Sequence, residues 1–308
     1  MPFTTQFFQP EWGAQRSQLL QSSLRDPYMG YPITHEYPIV LNPKHGAFSI
    51  CALNDGRLAA HANMWPRSLI DARTKQNFRI ALIGNVATHP SYRGQGIMRT
   101  LFEFVFEKAH DEQLEALILW SDLDQFYQKL GFAAFGTEYR WVFGANAFDE
   151  FKGPANFAVE NKLLWNARRC ETALAARHAT RYTLERNSEE FASLLHIPDL
   201  LLITCSVFDK LQGYGLVGKG ADMVGVIHEW GASDPSCLLG LIREAFVQTK
   251  LTELMLLTPP DFEKDWSEQL HPLAKRVTKH AMALGKILPD SKILDFADSC
   301  FVWGLDSI

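Results

Sequence analysis

The clearest local pattern is a pair of apolar runs, residues 47–53 and 57–63, that flank Asn54-Asp55-Gly56. Strand-like runs around an Asp-Gly pair predict a hairpin, because glycine accepts positive φ in a tight turn. Upstream, residues 12–25 read as a helix with Leu19, Leu20 and Leu24 on one side, stopped by Asp26-Pro27. Residues 28–43, with three prolines, read as a long loop. Residues 78–88 form a second strand and residues 89–96 a loop. Residues 97–109 follow as a helix, with Leu101, Phe104, Val105 and Lys108 at helical spacing. A short apolar strand at 115–120, a short helix at 122–130 ended by Gly131, and a closing strand at 139–143 complete the first half. The expected class is α/β with mixed strands, not a simple βαβ repeat.

Residues 144–161 have no clear period and contain Gly153-Pro154, which places a domain boundary there: 1–145 and 146–308. The second half then repeats the order of the first. A strand at 181–186, a helix at 188–195, strands at 213–220 and 223–230 around Ala221-Asp222, a helix at 237–248, a strand at 253–258 and a last strand at 301–305 are expected. The two halves match in order and spacing, while their identity is slight.

Composition narrows the class. The 308 residues are 47% hydrophobic and 21% charged, enough apolar side chain for two cores and too much for a disordered or fibrous chain. No apolar run approaches the roughly 18 residues of a membrane span, and residues 1–8 lack the features of a signal peptide. Cys51, Cys170, Cys205, Cys237 and Cys300 form no CxxC pair, so reduced thiols in a cytoplasm are expected, with no metal site. Residues 1–145 carry 13 basic and 13 acidic side chains. Residues 146–308 carry 17 and 22, which accounts for the net charge of −5. Neither half has the basic excess that nucleic acid demands. The acidic half slightly favours a cationic partner, although a solubilising surface explains it as well.

The chemistry concentrates where a strand gives way to Arg93-Gly94-Gln95-Gly96-Ile97-Met98 and then a helix. A helix N-terminus offers unpaired N–H groups and a partial positive charge, and glycines let a bulky anion approach the backbone. Such a loop is a phosphate cradle. It lacks the Gly-Lys-Ser/Thr of a P-loop and the third glycine of a dinucleotide fingerprint. The stretch 86–97, followed some 30 residues later by Phe126-Tyr127-Gln128-Lys129-Leu130-Gly131-Phe132, resembles the GNAT family of acyl-CoA-dependent N-acetyltransferases. The family motif falls on Arg93, Gly96 and Met98. Met98 departs from the small residue usual there, and together with Arg99 it resembles the tandem-domain "enhanced intracellular survival" branch.

The resemblance implies two tandem GNAT-like domains, each a mixed, twisted sheet flanked by helices, with the second domain degenerate. It implies that acetyl-CoA is held by backbone groups of Gly94, Gln95, Gly96, Ile97, Met98 and Arg99, with Arg93 in the motif. Its pantetheine arm would pair with Val86, Ala87 and Thr88. Tyr127 would protonate the departing thiolate, a role that suits a phenol of pKa about 10. An asparagine usual about seven residues earlier is absent, with Trp120 there and Ser121 beside it. No base is assigned among Glu36, His61, Asp122, Asp124 and Glu138; a lone strand histidine is more often structural. His89 reads as a turn residue and Cys51 as core. The expected activity is direct acetyl transfer to a primary amine of a small molecule or peptide. A silent acyl-CoA sensor and a transferase of another acyl group, with Met98 and Phe126 lining its pocket, stay open. No membrane partner is expected, and a homodimer is compatible with the sequence. In the second half Asp234 and Pro235 stand where glycines would be needed, and no Tyr-x-x-x-Gly-Phe follows residues 253–258, so one cofactor per chain is expected. His228-Glu229-Trp230 reads as a strand end.

Overall fold

The structure, a computed structural model, describes residues 3–25, 28, 30–42, 45–151, 156–289, 291 and 296–308. The expected helix stop at Asp26-Pro27 and the expected boundary at Gly153-Pro154 lie outside the described residues. In chain order the elements begin β1 (Thr4–Phe7), α1 (Gly13–Leu24), α2 (Ile33–Glu36), β2 (Phe48–Asn54), β3 (Arg57–Asp71), β4 (Asn77–Thr88), α3 (Ile97–Asp111), β5 (Ala116–Leu119) and α4 (Asp124–Gln128). They continue β6 (Ala133–Gly144), β7 (Phe157–Val159), α5 (Ala167–Ala176), β8 (Tyr182–Leu184), α6 (Ser188–Leu194), β9 (Leu201–Val207), β10 (Lys210–Val217) and β11 (Val226–Ala232). The last are α7 (Pro235–Thr249), β12 (Glu253–Thr258), α8 (Lys264–Leu270) and β13 (Ala274–Ile287). Among the described residues no helix is long and apolar enough to cross a membrane.

The chain forms two compact units. One holds residues 1–135, 282–298 and 307–308, the other 136–281 and 299–306. In the first unit β1, β2, β3 and β4 run antiparallel in order, around the expected turn with Asp55 and Gly56 at φ +48° and +72°. β4 then pairs parallel with β5 across α3, from Ile80↔Ala116 to Ile83↔Leu119. Residues 284–287 of β13 close this sheet antiparallel to β5. Ile50, Ala52, Ala60, Ala62, Met64, Ala81 and Ile83 face α3, whose Ile97, Leu101, Phe102 and Val105 complete a buried core with Tyr127 and Phe132. Burial of that stripe, at about 25 cal/mol per Å², is what holds α3 on the sheet.

The second unit repeats the plan: β7, β9, β10 and β11 antiparallel, β11 parallel to β12 across α7, and β6 antiparallel to β12. The closing strand of each unit thus comes from the other half of the chain. That corrects the expected division at 145/146. The strand expected to close the first half, 139–143, pairs with β12 as Tyr139↔Thr258 through Gly144↔Glu253.

The expected last strand at 301–305 is also corrected. Phe301, Val302 and Trp303 lie outside regular structure and Gly304–Asp306 is a 3₁₀ turn, all buried. Its backbone is held by other means: Lys219 Nζ donates to Gly304 O at 2.8 Å, and Asp306 is gripped by Arg186. Arg186 donates to both carboxylate oxygens of Glu229 at 2.9 Å and to Asp306 at 3.0 and 2.5 Å, and Tyr214 adds its hydroxyl to Glu229.

Candidate active site

Beyond Ile83, β4 pairs with no residue of β5, so among the described residues the backbone edge of 84–88 has no strand partner on that side. On its other side it is held by β3, with Ala60↔Thr88 and His61↔Ala87. The loop after it turns through Gly94 and Gly96 at φ +76° and +78°, the left-handed region that glycine occupies freely. Gly96 is the N-cap of α3. A Cβ at either glycine would meet nothing within 4 Å. The loop is therefore glycine for its backbone and for the space it leaves above the helix N-terminus, not for packing inside the protein. Arg93 Nε donates to Thr88 O at 3.3 Å and Gln95 Nε2 to Ser91 O at 3.0 Å, bracing the loop on itself.

A cleft of about 670 Å³ collects these groups. Val86, Ala87, Thr88, Arg93, Gly94, Gly96, Ile97, Met98, Arg99 and Tyr127 line it. Gln95 stays in the loop but off the wall. Ser23 and Leu24 at the end of α1, with Leu123 and Phe126, complete the lining. The first two carry no motif that a sequence reading could have used. Tyr127 is 4% exposed and packs edge-on against Phe102, Phe126 and Phe132. Burial pushes its phenol up to about 12, opposed by a hydrogen bond with Ser121, so it is protonated at neutral pH. Ser121 thus touches the residue that the absent asparagine would have neighboured. A larger cleft, about 1030 Å³, lies where α3 ends, between Arg79, Phe106, His110 and Lys286, and holds none of these groups.

The five carboxylate and histidine candidates for a base separate. Glu36 is buried and bonded to Arg25 at 2.7 Å. Asp122 and Asp124 are exposed at the start of α4. Glu138 lies in the second unit, paired with Arg140 at 2.6 Å, and burial raises its carboxyl. His61 is fully buried, and desolvation pushes it down to about 4. His89 caps the 3₁₀ turn Pro90–Tyr92, accepting from Ser91 N. Cys51 is core.

In the second unit the corresponding opening between β11 and β12 is filled. These strands pair only at Val226↔Met255 and Ile227↔Leu256. Past that point Trp230 Nε1 reaches Leu257 O at 2.9 Å, and His178 N donates to Trp230 O at 3.1 Å. The His178 ring stacks on Trp230 with centroids 4.4 Å apart, backed by Trp266 and Phe262. A Cβ on Gly231 would collide with the Ala176 carbonyl. His228, Glu229 and Trp230 are each fully buried. Asp234 caps α7, its Oδ1 accepting from Cys237 N at 3.0 Å.

A strand edge leading into a glycine turn and a helix N-terminus, with a buried phenol beside them, thus line one cleft of the first unit. Residues 14–132 match the family model described as the acetyltransferase (GNAT) family. Solved structures share the fold. A probable N-acyltransferase from Enterococcus faecalis has a TM-score of 0.70 at 14% identity, over 93% of this chain and 73% of that one. A GCN5-related N-acetyltransferase from Anabaena variabilis has 0.68 at 15%, with the same coverage. Eis1 from Mycobacterium abscessus has 0.57 at 13%, again covering 93% and 73%. No curated protein sequence matches the chain.

Proposed function

We propose that the first unit binds acetyl-CoA in the 670 Å³ cleft and transfers its acetyl group directly to a primary amine of a small molecule or peptide. The observation that carries this reading is one cleft bringing together the open edge of Val86–Thr88, the Gly94/Gly96 turn and the Tyr127 phenol. The α3 N-terminus and its turn suit the pyrophosphate, and the open strand edge suits the amide groups of the pantetheine arm. Holding thioester and amine in line supplies most of the rate. The neutral amine attacks the thioester carbonyl, forming the C–N bond, and a backbone N–H near Thr88 serves the oxyanion. As the C–S bond breaks, Tyr127 gives its proton to the thiolate and regains one from solvent, while the amine nitrogen releases a proton to water.

The second unit takes no cofactor on this reading. Trp230, His178 and the crossing at Gly231 occupy the opening, and the Asp234 carboxylate already uses the field of the α7 N-terminus. The even charge balance of the first half argues against a nucleic-acid partner, and five free, buried cysteines suit a cytoplasmic protein. Thiol release from acetyl-CoA against amines, polyamines, aminoglycosides and peptides tests the transferase, and calorimetry tests the stoichiometry. Turnover with some amine and one site per chain are expected. Tight binding without turnover on any acceptor would leave a sensor instead, and two equivalent sites would overturn the reading of the second unit.

A further inference from the structure

Asn85 and Val86 stand where β4 leaves β5. Facing β3, the register passes from His61↔Ala87 to Asn63↔Gly84, so β4 carries one extra residue there, a β-bulge, and neither Asn85 nor Val86 has a register partner on β3. Asn85 is buried with φ +50°, whereas Val86 is half-buried and lines the cleft. The carbonyl of the peptide that joins them is taken by a side chain: His61 Nδ1 lies 2.9 Å from Asn85 O.

That side chain is itself held. Arg16 Nη1 donates to Ser49 Oγ at 3.2 Å, and Ser49 Oγ lies 2.6 Å from His61 Nε2. Burial pushes the imidazole down to about 4, so it is neutral at neutral pH. A carbonyl can only accept, so Nδ1 carries the proton and Ser49 donates to Nε2. Ala60 and Ala62 face α3, so His61 between them points to the other face of the sheet. A trans peptide sets its N–H opposite its C=O. With Asn85 O turned to His61, the Val86 N–H turns to the α3 face, where Ile97, Met98 and Tyr127 line the cleft.

This inference rests on the acyl-CoA reading of the cleft. We propose that His61 is a positioning residue for acyl transfer: it fixes the Asn85–Val86 peptide so that the Val86 N–H stands in the cleft as donor to the thioester carbonyl and to the oxyanion formed from it. His61 stays behind the sheet and touches neither substrate. It moves no proton; its bond to Asn85 O sets the direction of the N–H and polarises it through the shared peptide. A donor held in place before the reaction costs no reorganisation when the negative charge develops.

Two substitutions separate this role from packing. His61→Asn places an amide N–H where Nδ1 stands, within reach of Asn85 O. His61→Gln places the same group where Nε2 stands, toward Ser49, and leaves Asn85 O without it. Isotope-difference infrared spectra of acetyl-CoA labelled with ¹³C at the acetyl carbonyl read the bound thioester and need no acceptor. In wild type and His61→Asn the bound carbonyl band is expected at lower frequency than in buffer. In His61→Gln it is expected to return toward the buffer value, with acetyl-CoA affinity by calorimetry unchanged. With an amine that the wild type acetylates, kcat is expected to fall about tenfold or more in His61→Gln, KM for acetyl-CoA holding, and to recover in His61→Asn. A purely structural histidine would move the melting temperature and leave the band in place. A band that stays shifted in His61→Gln, a wild-type band that does not shift, or a loss that His61→Asn fails to restore would each overturn the assignment. Should neither variant fold, the Val86 amide resonance of the wild type decides: it is expected to move downfield when acetyl-CoA binds, and a resonance that does not move overturns the assignment. Wild-type protein that fails to bind acetyl-CoA would instead overturn the cofactor reading, and the assignment would fall with it.

Discussion

Tyr127→Phe separates the proton donor from the ring that carries it. The ring packs against Phe102, Phe126 and Phe132, and those contacts survive the change. Only the hydroxyl and its bond with Ser121 go, a loss of about 1 kcal/mol or less at neutral pH. General acid help is typically worth 10²–10⁴-fold, so kcat should fall at least about tenfold when chemistry limits the rate, with acetyl-CoA affinity unchanged. Burial adds a second signature. Raising a phenol from 10.0 to about 12 disfavours the folded phenolate by roughly 3 kcal/mol, at 1.36 kcal/mol per unit. The folded state then holds the proton more tightly than the unfolded chain. The associated stability is intact below pH 10 and drains away between pH 10 and about 12. Urea midpoints of wild type and variant, compared from neutral pH to that range, should cross, because the wild type's loss exceeds the small advantage its hydroxyl gives at neutral pH. An unchanged kcat with a measured chemical step would remove Tyr127 from the mechanism, and parallel midpoint curves would show that its hydroxyl is not buried.

Gly96→Glu places an acidic side chain and a strained backbone at φ +78° where the pyrophosphate is expected, and acetyl-CoA affinity should drop roughly a hundredfold, about 2.7 kcal/mol by calorimetry; wild-type affinity would refute the cradle. Arg186→Met removes the guanidinium paired with buried Glu229 and Asp306, so denaturant unfolding should show a loss of about 3–5 kcal/mol. The Arg186→Met/Glu229→Gln/Asp306→Asn triple variant should recover part of it. His61 and His228 are both pushed down to about 4 by burial, so the unfolded chain binds their protons more readily. Stability is full above about 6.5 and falls as pH drops toward 4, by about 2 kcal/mol per histidine at pH 5. His61→Gln should flatten the urea midpoint between pH 7 and pH 5.

Local signals were legible where one residue type is required. Asp55 and Gly56 both adopt positive φ at the hairpin, and the helix after Gly96 begins at Ile97 as its spacing indicates. The cleft-lining residues of β4 and the loop follow from the same stretch. What escaped was long-range pairing. β13 has an exposed, mixed face over most of its length, so it shows no alternation, and only its end, 284–287, is claimed by β5. Residues 301–305 are apolar enough for a strand but are buried outside any ladder, with Lys219 holding the Gly304 carbonyl and the Asp306 N–H the Trp303 carbonyl. Ser49, His61, Asn63 and Asn85 read as scattered polar residues in apolar strands; only the register between β3 and β4 gathers them.

On the proposed reading the two units put one scaffold to opposite uses, and the difference lies in a few side chains at the same strand opening. In both, the parallel pair separates after a short ladder: four residue pairs between β4 and β5, two between β11 and β12. Separation alone would expose backbone N–H and C=O groups in a partly buried place, which a fold must satisfy. The second unit does so internally, with an indole N–H on Leu257 O and the His178 amide on Trp230 O. In the first, the described side-chain bonds to that stretch are His61 with Asn85 O and Arg93 with Thr88 O, while Val86, Ala87 and Thr88 line the cleft and the loop above offers two glycines whose Cβ positions meet nothing within 4 Å. On the proposed reading, the amide groups of the pantetheine arm meet the rest of that edge. Filling the first opening as the second is filled, by Ala87→Trp for example, would therefore compete with the cofactor without breaking the fold's own bonds.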